Sequence, residues 1–362
     1  MAGIVRVDLG ARAYEIRIGR GLLPEVGTWC RKAGLGASAL VVTDANVARH
    51  HLAPVAESLA AASIRATAAT IPPGESSKDL QHLAGLYVHA VEAGLDRASF
   101  VVALGGGVVG DLAGFLAATY LRGIRLAQVP TSLLAMVDSS VGGKTGIDLP
   151  QGKNLVGAFH QPSAVIADTD TLRTLPPREY RAGLAEVVKY GVIADADFFA
   201  RLEREADAVA AGEAAVLEAV VERCCRLKAE VVAADEREGG RRAILNYGHT
   251  LAHAIEHAVG YGEWRHGEAV AAGMVFAARL STAEAGLPEA DADRLVALLR
   301  RLGLPVVPPD VPWEAVRRAM AVDKKAVGRV PRFVLAGAIG RARPGVEVPE
   351  GRLREVWDVC RQ

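Results

Sequence analysis

Short apolar runs rich in β-branched residues alternate with amphipathic stretches through the first half of the chain. Strands are predicted at 39–43, 99–104, 125–129 and 164–168, and helices at 79–93 and 111–120. The N-terminal segment 1–19 alternates apolar and polar residues, which is also typical of a strand. This order of strands and helices predicts an α/β domain with a parallel sheet and crossover helices.

The second half of the chain has a different pattern, in which long amphipathic or alanine-rich stretches dominate. Helices are predicted at 182–193, 198–211, 214–233, 250–259 and 268–285. Two prolines within 174–180 interrupt the earlier pattern. We therefore predict an α/β domain at 1–177 and a mainly α-helical domain at 178–362.

Composition narrows the classes of function. The chain has 362 residues, 51% of them hydrophobic, and its 42 Lys and Arg balance its 42 Asp and Glu. Because the formal net charge is zero, overall electrostatic attraction to nucleic acid or to an anionic membrane is not expected. The N-terminus lacks the apolar core of a signal peptide, and no run of 18 apolar residues occurs, so a cytoplasmic location without a membrane partner is expected. The four cysteines form no C-x-x-C pair and are expected to be reduced.

A glycine-rich turn follows the predicted strand at 99–104. The spacing Gly105-x-Gly107-x-x-Gly110 before a helix places backbone N–H groups where a pyrophosphate binds, and it predicts a Rossmann-like nucleotide site. No acidic residue lies about 20 positions further on, so tight strand-to-helix packing is an equal alternative. Asp44 and the polar turn 73–78 could face the same nucleotide.

The segment 130–154 is an unusually polar connection that carries Asp138, Lys144, Lys153 and Asn154 among glycines. Its Gly-Gly-Lys-Thr sequence at 142–145 invites a P-loop interpretation, but Asp138 occupies the position of the first glycine. A nucleoside triphosphatase is therefore disfavoured. A long polar loop of this kind is typically functional, although a solvated surface loop would look the same.

Four histidines, His249, His253, His257 and His266, fall within one short segment of the second half. On a helix the first three share one face, and imidazoles at i and i+4 can chelate a divalent metal ion. The zinc-protease pattern H-E-x-x-H fails because Thr250 replaces the glutamate. Spacing leaves open which histidines bind, since His266 follows a turn and can fold back onto the helix.

A third ligand is expected from another element, and Glu186 lies within the strongly apolar run 183–190. A buried carboxylate needs a partner or a metal. The alternative is a helix-surface ion pair between Glu186 and Lys189 at i, i+3. Both interpretations stay open on the residues alone.

The chain resembles the 3-dehydroquinate synthase family, one of the sugar phosphate cyclases, over about residues 40–325. The matching segments include GGGVVGDLAGFLAATYLRG, PTSLLAMVDSSVGGKTGIDLPQGKNLVGAFHQP, LPPREYRAGLAEVVKYG, CCRLKAEVVAADE, LNYGHTLAHAIEHAVGYGEWRHGEAVAAGM and DKK at 323–325. Their combination is far more specific than any single motif.

The resemblance implies an N-terminal domain that binds NAD and a helical C-terminal domain that holds one divalent metal ion, zinc or cobalt. Glu186, His249 and His266 correspond to the metal ligands. The residues that correspond to NAD contacts are Glu75, Lys78, Gly106, Gly107, Val108, Gly110, Asp111, Thr131, Ser132, Lys144, Lys153, Thr171, Leu172, Arg173 and Thr174. Those that correspond to substrate or phosphate contacts are Lys144, Asn154, Lys189, Lys228, Arg242, Asn246, His253 and one of Lys324 and Lys325. Arg122 corresponds to a residue that reaches the neighbouring subunit, which implies a homodimer.

The family converts 3-deoxy-D-arabino-heptulosonate 7-phosphate to 3-dehydroquinate and phosphate in the shikimate pathway of aromatic amino acid biosynthesis. The implied steps are transient oxidation by NAD, phosphate elimination, re-reduction and intramolecular aldol closure. Asp138 and ordered water are candidates for proton transfer in such a lyase.

Three alternatives deserve comparison: a cyclase that makes a valiolone or an inosose, a metal-dependent polyol dehydrogenase, and a non-catalytic nucleotide-binding regulator. Arg242 and Asn246 can grip a planar carboxylate, which a cyclase for neutral sugars would not need. The GKTGID and GKNLVGAF segments fit elimination better than simple oxidation. A regulator would not need the full set of reactive residues.

Overall fold

The chain divides into two compact units in a computed structural model that describes residues 3–260, 262–322 and 331–362. Unit 1 comprises Met1–Pro176 and Glu218–Ala233, and unit 2 comprises Pro177–Leu217 and Ala234–Gln362. The sequence predicts a single cut at 177/178, whereas the structure also groups a later helical segment with unit 1. No local pattern in that helix indicates its assignment. Lys324 and Lys325 lie outside the described residues.

Unit 1 is built on a seven-stranded sheet. Its strands are β1 (Gly3–Val7), β2 (Tyr14–Gly19), β3 (Ser38–Asp44), β4 (Arg65–Ile71), β5 (Phe100–Gly105), β6 (Arg125–Pro130) and β9 (Ala164–Asp168), and β7 (Lys144–Leu149) and β8 (Gly152–Phe159) form a separate antiparallel hairpin. The strand order is β1-β2-β9-β6-β5-β3-β4. The β1–β2 pair is antiparallel and the other pairings of this sheet are parallel. Its helices are α1 (Val26–Lys32), α2 (Ala45–Val47), α3 (Ala53–Ala61), α4 (Leu80–Glu92) and α5 (Gly107–Thr119).

Helices cover both faces of this sheet because successive strand residues point in opposite directions. In β3, Leu40 and Val42 pack into a core with residues of α4 and α5. Ala39 and Val41 pack into a second core with residues of α1 and α3. The predicted Rossmann-like α/β domain is thus confirmed, with strands where the four apolar runs lie.

The segment 130–154 is not the long open loop that its polarity predicts, since the β7–β8 hairpin begins within it. A β-carbon at Gly146 would lie 2.6 Å from the Val156 carbonyl oxygen, and one at Gly157 would lie 2.1 Å from that of Thr145. The two strands therefore need glycine at these positions. Glycine lowers the strand propensity of a segment, so the sequence of 144–159 does not predict a hairpin.

Unit 2 is mainly helical, as predicted. Its helices are α6 (Pro177–Ala194), α7 (Ala196–Arg204), α8 (Ala206–Ala211), α10 (His249–Val259), α11 (His266–Glu284), α12 (Glu289–Arg301), α13 (Trp313–Val322) and α14 (Glu350–Cys360), and most of α9 (Ala214–Ala234) belongs to unit 1. A hairpin of β10 (Arg332–Ala338) and β11 (Arg341–Glu347) adds an antiparallel pair. The single helix predicted at 198–211 is two helices that meet at Glu205. Among the described helices, none has the length and apolarity needed to cross a membrane.

Candidate metal and nucleotide sites

Parallel strands of unit 1 end at a common edge of the sheet, and the predicted nucleotide residues follow these ends. The strand β3 ends at Asp44, β5 at Gly105, β6 at Pro130 and β9 at Asp168. In open α/β sheets, ligands bind outside the carboxyl ends of the strands. The topology therefore gathers strand ends as far apart in the chain as Asp44 and Asp168.

The glycines after β5 have two different roles. A β-carbon at Gly105 would lie 2.7 Å from the Val109 side chain, and one at Gly110 would lie 3.0 Å from Gln128 Oε1. These two glycines serve the close strand-to-helix packing that was the alternative interpretation.

Gly106 and Gly107 occupy the turn itself, where α5 begins. Gly106 is the N-cap residue and provides no side-chain cap for the first N–H groups of this 13-residue helix. A β-carbon at Gly107 would lie 3.2 Å from Ser139 Oγ, and one at Gly106 would lie 3.4 Å from Ser132 Oγ. A helix N-terminus with bare backbone is suited to a phosphate group, so these positions fit a nucleotide. Val108, in the first turn, is half-buried.

Thr131 and the turn after β9 also lie at the carboxyl ends of the parallel strands. The Thr131 amide donates to the Gly105 carbonyl at 2.9 Å, which ties the end of β6 to the glycine turn. Thr171 and Thr174 lie in a 3₁₀ turn, Thr169–Thr174, together with buried Leu172 and exposed Arg173. His51 Nε2 lies 2.8 Å from Thr174 Oγ1, a contact that the sequence did not predict.

Asp44 has a local structural role in this edge. Its Oδ1 accepts hydrogen bonds from the Asn46 and Val47 amides at 2.9 and 3.1 Å, so it caps α2. An aspartate at an N-cap satisfies amides that have no partner within the helix. Nucleotide binding by Asp44 therefore stays a prediction.

Lys78 is a buried cation that joins three predicted site residues. Its side chain is 4% exposed, and Nζ donates to Asp111 Oδ2 at 2.6 Å and to Asn154 Oδ1 at 2.5 Å. Burial opposes the charge, but the carboxylates of Asp111 and Glu75 outweigh it and raise the pKa of Lys78. Lys78 is therefore a fixed positive charge, and the Lys153 ammonium lies 3.7 Å from Glu75 Oε1 beside it.

Asp148 belongs to this network although the sequence analysis missed it. Asn154 has a left-handed backbone, with φ of 54°, and its amide donates to Asp148 Oδ1 at 2.8 Å. The Asp148 amide in turn donates to the Lys78 carbonyl at 2.7 Å. Its position two residues after Gly146, in the GKTGID segment, was the available signal. Asp148 thus fixes the turn that presents Asn154.

Asp138 and Lys228 form a second polar pair in unit 1. Lys228, on α9, donates from Nζ to the Asp138 carbonyl at 2.6 Å and also forms an ion pair with Asp138 Oδ1. The pair depends on the segment of α9 that groups with unit 1. Lys144, at the start of β7, is exposed, and Arg122 is exposed in a turn where its φ is 70°.

Two glycines of α11 bring three helices of unit 2 close together. A β-carbon at Gly267 would lie 1.8 Å from the Ala182 carbonyl oxygen of α6, and one at Gly273 would lie 2.0 Å from that of Gly248, just before α10. Only glycine permits such approaches of backbone to backbone. The start of α11 therefore packs against α6, and the start of α10 packs against the middle of α11.

Glu186, His249 and His266 converge at this point. His249 Nε2 lies 3.5 Å and His266 Nε2 lies 3.8 Å from Glu186 Oε1, and the three donor atoms lie within 4.8 Å of one another. Glu186 is fully buried, and it forms an ion pair with Lys189, which is 1% exposed. The pair at i, i+3 is real, but it is buried and not on the helix surface. The two interpretations of Glu186 are therefore compatible.

The donor set fits a divalent metal ion. Two donors that each lie about 2.1 Å from a tetrahedral ion are about 3.4 Å apart. The distances of 3.5 and 3.8 Å from Glu186 Oε1 to the two Nε2 atoms are close to this value. Within the described residues, Glu186 Oε1 is buried and accepts no hydrogen bond. One carboxylate and two imidazoles leave a coordination position open, as in catalytic zinc sites. A buried charge of this kind is what a metal ion would satisfy.

The remaining histidines take different positions. The His253 ring centroid lies 5.7 Å from that of His249 and 6.3 Å from that of His266, so His253 borders the cluster. His257, one turn further along α10, is exposed. The donor atoms that converge are those of Glu186, His249 and His266, and metal binding by these residues stays a prediction.

Arg242 and Asn246 lie in a 3₁₀ helix, Arg241–Asn246, and both contact the segment before it. Arg242 is 1% exposed, and its Nη1 donates to the Glu236 carbonyl at 2.5 Å. The Asn246 side-chain amide donates to Glu238 Oε1 at 2.7 Å. Carboxylate binding by the two residues stays a prediction.

Comparison with known proteins decides the family. Family models for the N-terminal and C-terminal parts of 3-dehydroquinate synthase match residues 68–182 and 183–326. A curated 3-dehydroquinate synthase of Geobacter metallireducens is 52% identical over 355 residues, which cover 98% of each chain. The chain belongs to the 3-dehydroquinate synthase family. The predicted family and the prediction that the chain is an enzyme are thereby confirmed.

Solved structures related to this family share the fold. A 2-deoxy-scyllo-inosose synthase, complexed with carbaglucose-6-phosphate, NAD⁺ and Co²⁺, has a TM-score of 0.90 and 28% identity, with 98% of this chain and 99% of that chain covered. A 2-epi-5-epi-valiolone synthase from Streptomyces hygroscopicus subsp. jinggangensis, with NAD⁺ and Zn²⁺ bound, has a TM-score of 0.87 and 28% identity, with 96% of both chains covered. The predicted fold class is confirmed.

Proposed function

We propose that this protein converts 3-deoxy-D-arabino-heptulosonate 7-phosphate to 3-dehydroquinate and phosphate, with NAD and one divalent metal ion. The observation that carries this proposal is the 52% identity to a 3-dehydroquinate synthase over 98% of both chains. The inosose and valiolone synthases share only 28% identity with this chain. Their reactions are therefore weaker candidates than that of the family.

Glu186, His249 and His266 would hold the metal ion, zinc or cobalt, through one carboxylate oxygen and two Nε2 atoms. When bound, the ion supplies Lewis-acid stabilisation of a developing oxyanion on the substrate. Lys189 offsets the charge of Glu186 on the opposite carboxylate oxygen. The ion pair compensates the burial of the carboxylate with a positive charge beside it.

The glycine turn of unit 1 would bind NAD, which supplies a reversible hydride acceptor when it is bound. Backbone amides at Gly106 and Gly107 would receive the pyrophosphate at the start of α5. The turn Thr169–Thr174 and the Thr131–Ser132 segment follow neighbouring strands and would bound the same nucleotide. Lys78, with its raised pKa, would keep a positive charge beside Asp111.

The substrate contacts follow from side-chain chemistry. Lys144, Asn154 and His253 each correspond to phosphate contacts of the family, which orient the phosphate for elimination. Arg242 and Asn246 would bind the C1 carboxylate, which favours this substrate over sugar phosphates that lack it. Lys228 pairs with Asp138 and would hold the Asp138 carboxylate in position for proton transfer.

A homodimer in the cytoplasm is part of the proposal. Arg122 is exposed in a turn of unit 1, where its φ is 70°. Such a side chain can serve a neighbouring subunit. Light scattering of the purified protein tests the dimer, and a mass equal to one chain at micromolar concentration would refute it.

The decisive experiment follows phosphate release from the heptulosonate phosphate with catalytic amounts of NAD. We expect phosphate without net NADH, loss of activity after chelation, and recovery with zinc or cobalt. His249→Gln should abolish activity, whereas His257→Gln, at an exposed position of the same helix, should not. Stoichiometric NADH without phosphate would instead identify a dehydrogenase, and turnover of a sugar phosphate that lacks C1 carboxylate would identify another cyclase.

A further inference from the structure

Glu256 is a buried carboxylate on α10 that lies behind one of the proposed metal ligands. We propose that Glu256 is a positioning residue, which accepts a hydrogen bond from His266 Nδ1 and thereby presents Nε2 to the metal ion. The inference rests on the metal site of the proposed function. It adds a residue that would act on the ion through His266.

The two nitrogens of the His266 ring face two different carboxylates. Nδ1 lies 3.4 Å from Glu256 Oε2, and Nε2 lies 3.8 Å from Glu186 Oε1. An ionised carboxylate only accepts hydrogen bonds, so Nδ1 must carry the proton in this contact. The neutral ring then has its lone pair on Nε2, the atom that faces Glu186 and the cluster.

His249 has the same arrangement with a different outer partner. Its Nδ1 lies 3.0 Å from the Tyr247 carbonyl oxygen, and its Nε2 lies 3.5 Å from Glu186 Oε1. Both histidines therefore point Nε2 inwards and hold Nδ1 with an acceptor behind. This repetition in two unrelated contacts is typical of metal-ligating histidines, whose second nitrogen has a carboxylate or carbonyl partner.

His266 needs a side-chain partner more than His249 does. The His249 side chain is 10% exposed, and the carbonyl that it contacts belongs to Tyr247, only two residues earlier in the chain. The His266 side chain, at the start of α11, is 33% exposed. A ring with that much open space can rotate unless a fixed group holds it. Glu256, 4% exposed on the neighbouring helix, is such a group.

The burial of Glu256 is consistent with a hydrogen bond from His266. Taking a carboxylate out of water costs free energy unless hydrogen bonds or charges compensate it. Its place on α10, seven residues after His249, puts it on the same helix face as that ligand. A carboxylate behind an imidazole also makes the ligand nitrogen more basic and strengthens its bond to the ion.

The test compares zinc affinity in wild-type protein, Glu256→Gln, Glu256→Ala and His257→Gln, measured on the full chain by competition with a chromophoric chelator. Loss of such an outer partner typically weakens metal binding about 10- to 100-fold. We expect a loss of this size in E256A and a smaller one in E256Q, whose amide oxygen still accepts a hydrogen bond. His257→Gln, next in sequence but exposed, should bind zinc as the wild type does.

Two further measurements separate positioning from a general structural role. The visible spectrum of the Co²⁺ form should change in E256A, while the melting temperature with chelator present should stay within a few degrees of wild type. Unchanged zinc affinity and an unchanged Co²⁺ spectrum in E256A would overturn the proposal. Equal losses of zinc affinity in E256A and E256Q, together with a much lower melting temperature of the metal-free variants, would also overturn it. Wild-type protein that binds no zinc would refute the metal site itself, a result distinct from both.

Discussion

Gly267 lies against the backbone of Ala182, where a β-carbon would be 1.8 Å from the carbonyl oxygen. This contact fixes the start of α11, and with it His266, against the helix that carries Glu186. The geometry of the Glu186, His249 and His266 cluster therefore depends on a position that has no side chain.

Gly267→Ala should separate α11 from α6 and weaken zinc binding. We expect a loss of stability of about 1–3 kcal/mol, as for other overpacked cores, together with at least a tenfold weaker zinc affinity. Gly85→Ala is a matched control, because no atom lies within 4 Å of a β-carbon built there on α4. It should leave zinc affinity unchanged and raise stability slightly. Chemical denaturation and chelator competition measure both, and wild-type affinity in G267A would contradict the prediction.

The buried pair of Glu186 and Lys189 should behave as a unit in metal-free protein. Removing one partner of a buried ion pair leaves an uncompensated charge and typically costs about 3–5 kcal/mol. We expect Glu186→Gln to destabilise the metal-free protein by this amount. Lys189→Met should do the same, and the double variant should lose less than the sum. Urea denaturation of the four proteins gives the coupling energy, and strictly additive losses would show that the pair is not coupled.

The contact of Lys78 with Asp111 and Asn154 predicts a joint loss of stability and cofactor affinity. Lys78→Met removes the cation and leaves the Asp111 carboxylate near Glu75 without its partner, so we expect a cost of about 3 kcal/mol and weaker NAD binding. Lys153→Met is the control for stability alone, since its ion pair spans 3.7 Å at a partly exposed position and should contribute less than about 1 kcal/mol. Calorimetric titration with NAD measures affinity. Unchanged affinity in K78M would refute the nucleotide role.

The apolar pattern predicts β3, β5, β6 and β9 because they are buried runs with a strong local signal. It does not predict β4, whose residues are mostly exposed and carry a weak signal. It was not sufficient for the β7–β8 hairpin, whose glycines serve contacts between strands. The sequence also does not predict that Glu218–Ala233 groups with unit 1. Helix periodicity shows which face of a helix is apolar but not which element that face packs against. Local sequence therefore predicts elements better than it predicts where they pack.

The candidate sites show the same limit. Histidine spacing predicted a metal site but could not choose between His253 and His266, since the choice depends on close backbone contacts at Gly267 and Gly273. The resemblance to a family supplied the ligand set. Asp148 and Glu256 were missed because each acts on another residue's side chain or backbone, and a carboxylate in such a role has no motif of its own.

His51 should make the stability of unit 1 depend on pH near neutrality. The side chain is 8% exposed, and burial, with His50 nearby, lowers its pKa below the ordinary 6.5, although Asp168 opposes the shift. Above pH 6.5 the ring is neutral in both folded and unfolded protein. As pH falls below 6.5 the unfolded chain takes up a proton that the folded chain resists, so the folded state loses stability by at most about 1.4 kcal/mol per pH unit.

Because His51 also contacts Thr174 Oγ1 at 2.8 Å, protonation should loosen the turn proposed to bind NAD. His51→Gln cannot titrate and should show a smaller loss of stability between pH 7.5 and 5.5 than the wild type, with NAD affinity that falls less over the same interval. His89→Gln, at an exposed position of α4, should keep the wild-type pH dependence. Urea denaturation and NAD titration at the two pH values provide the measurement. Equal slopes in H51Q and wild type would assign the pH dependence to other groups.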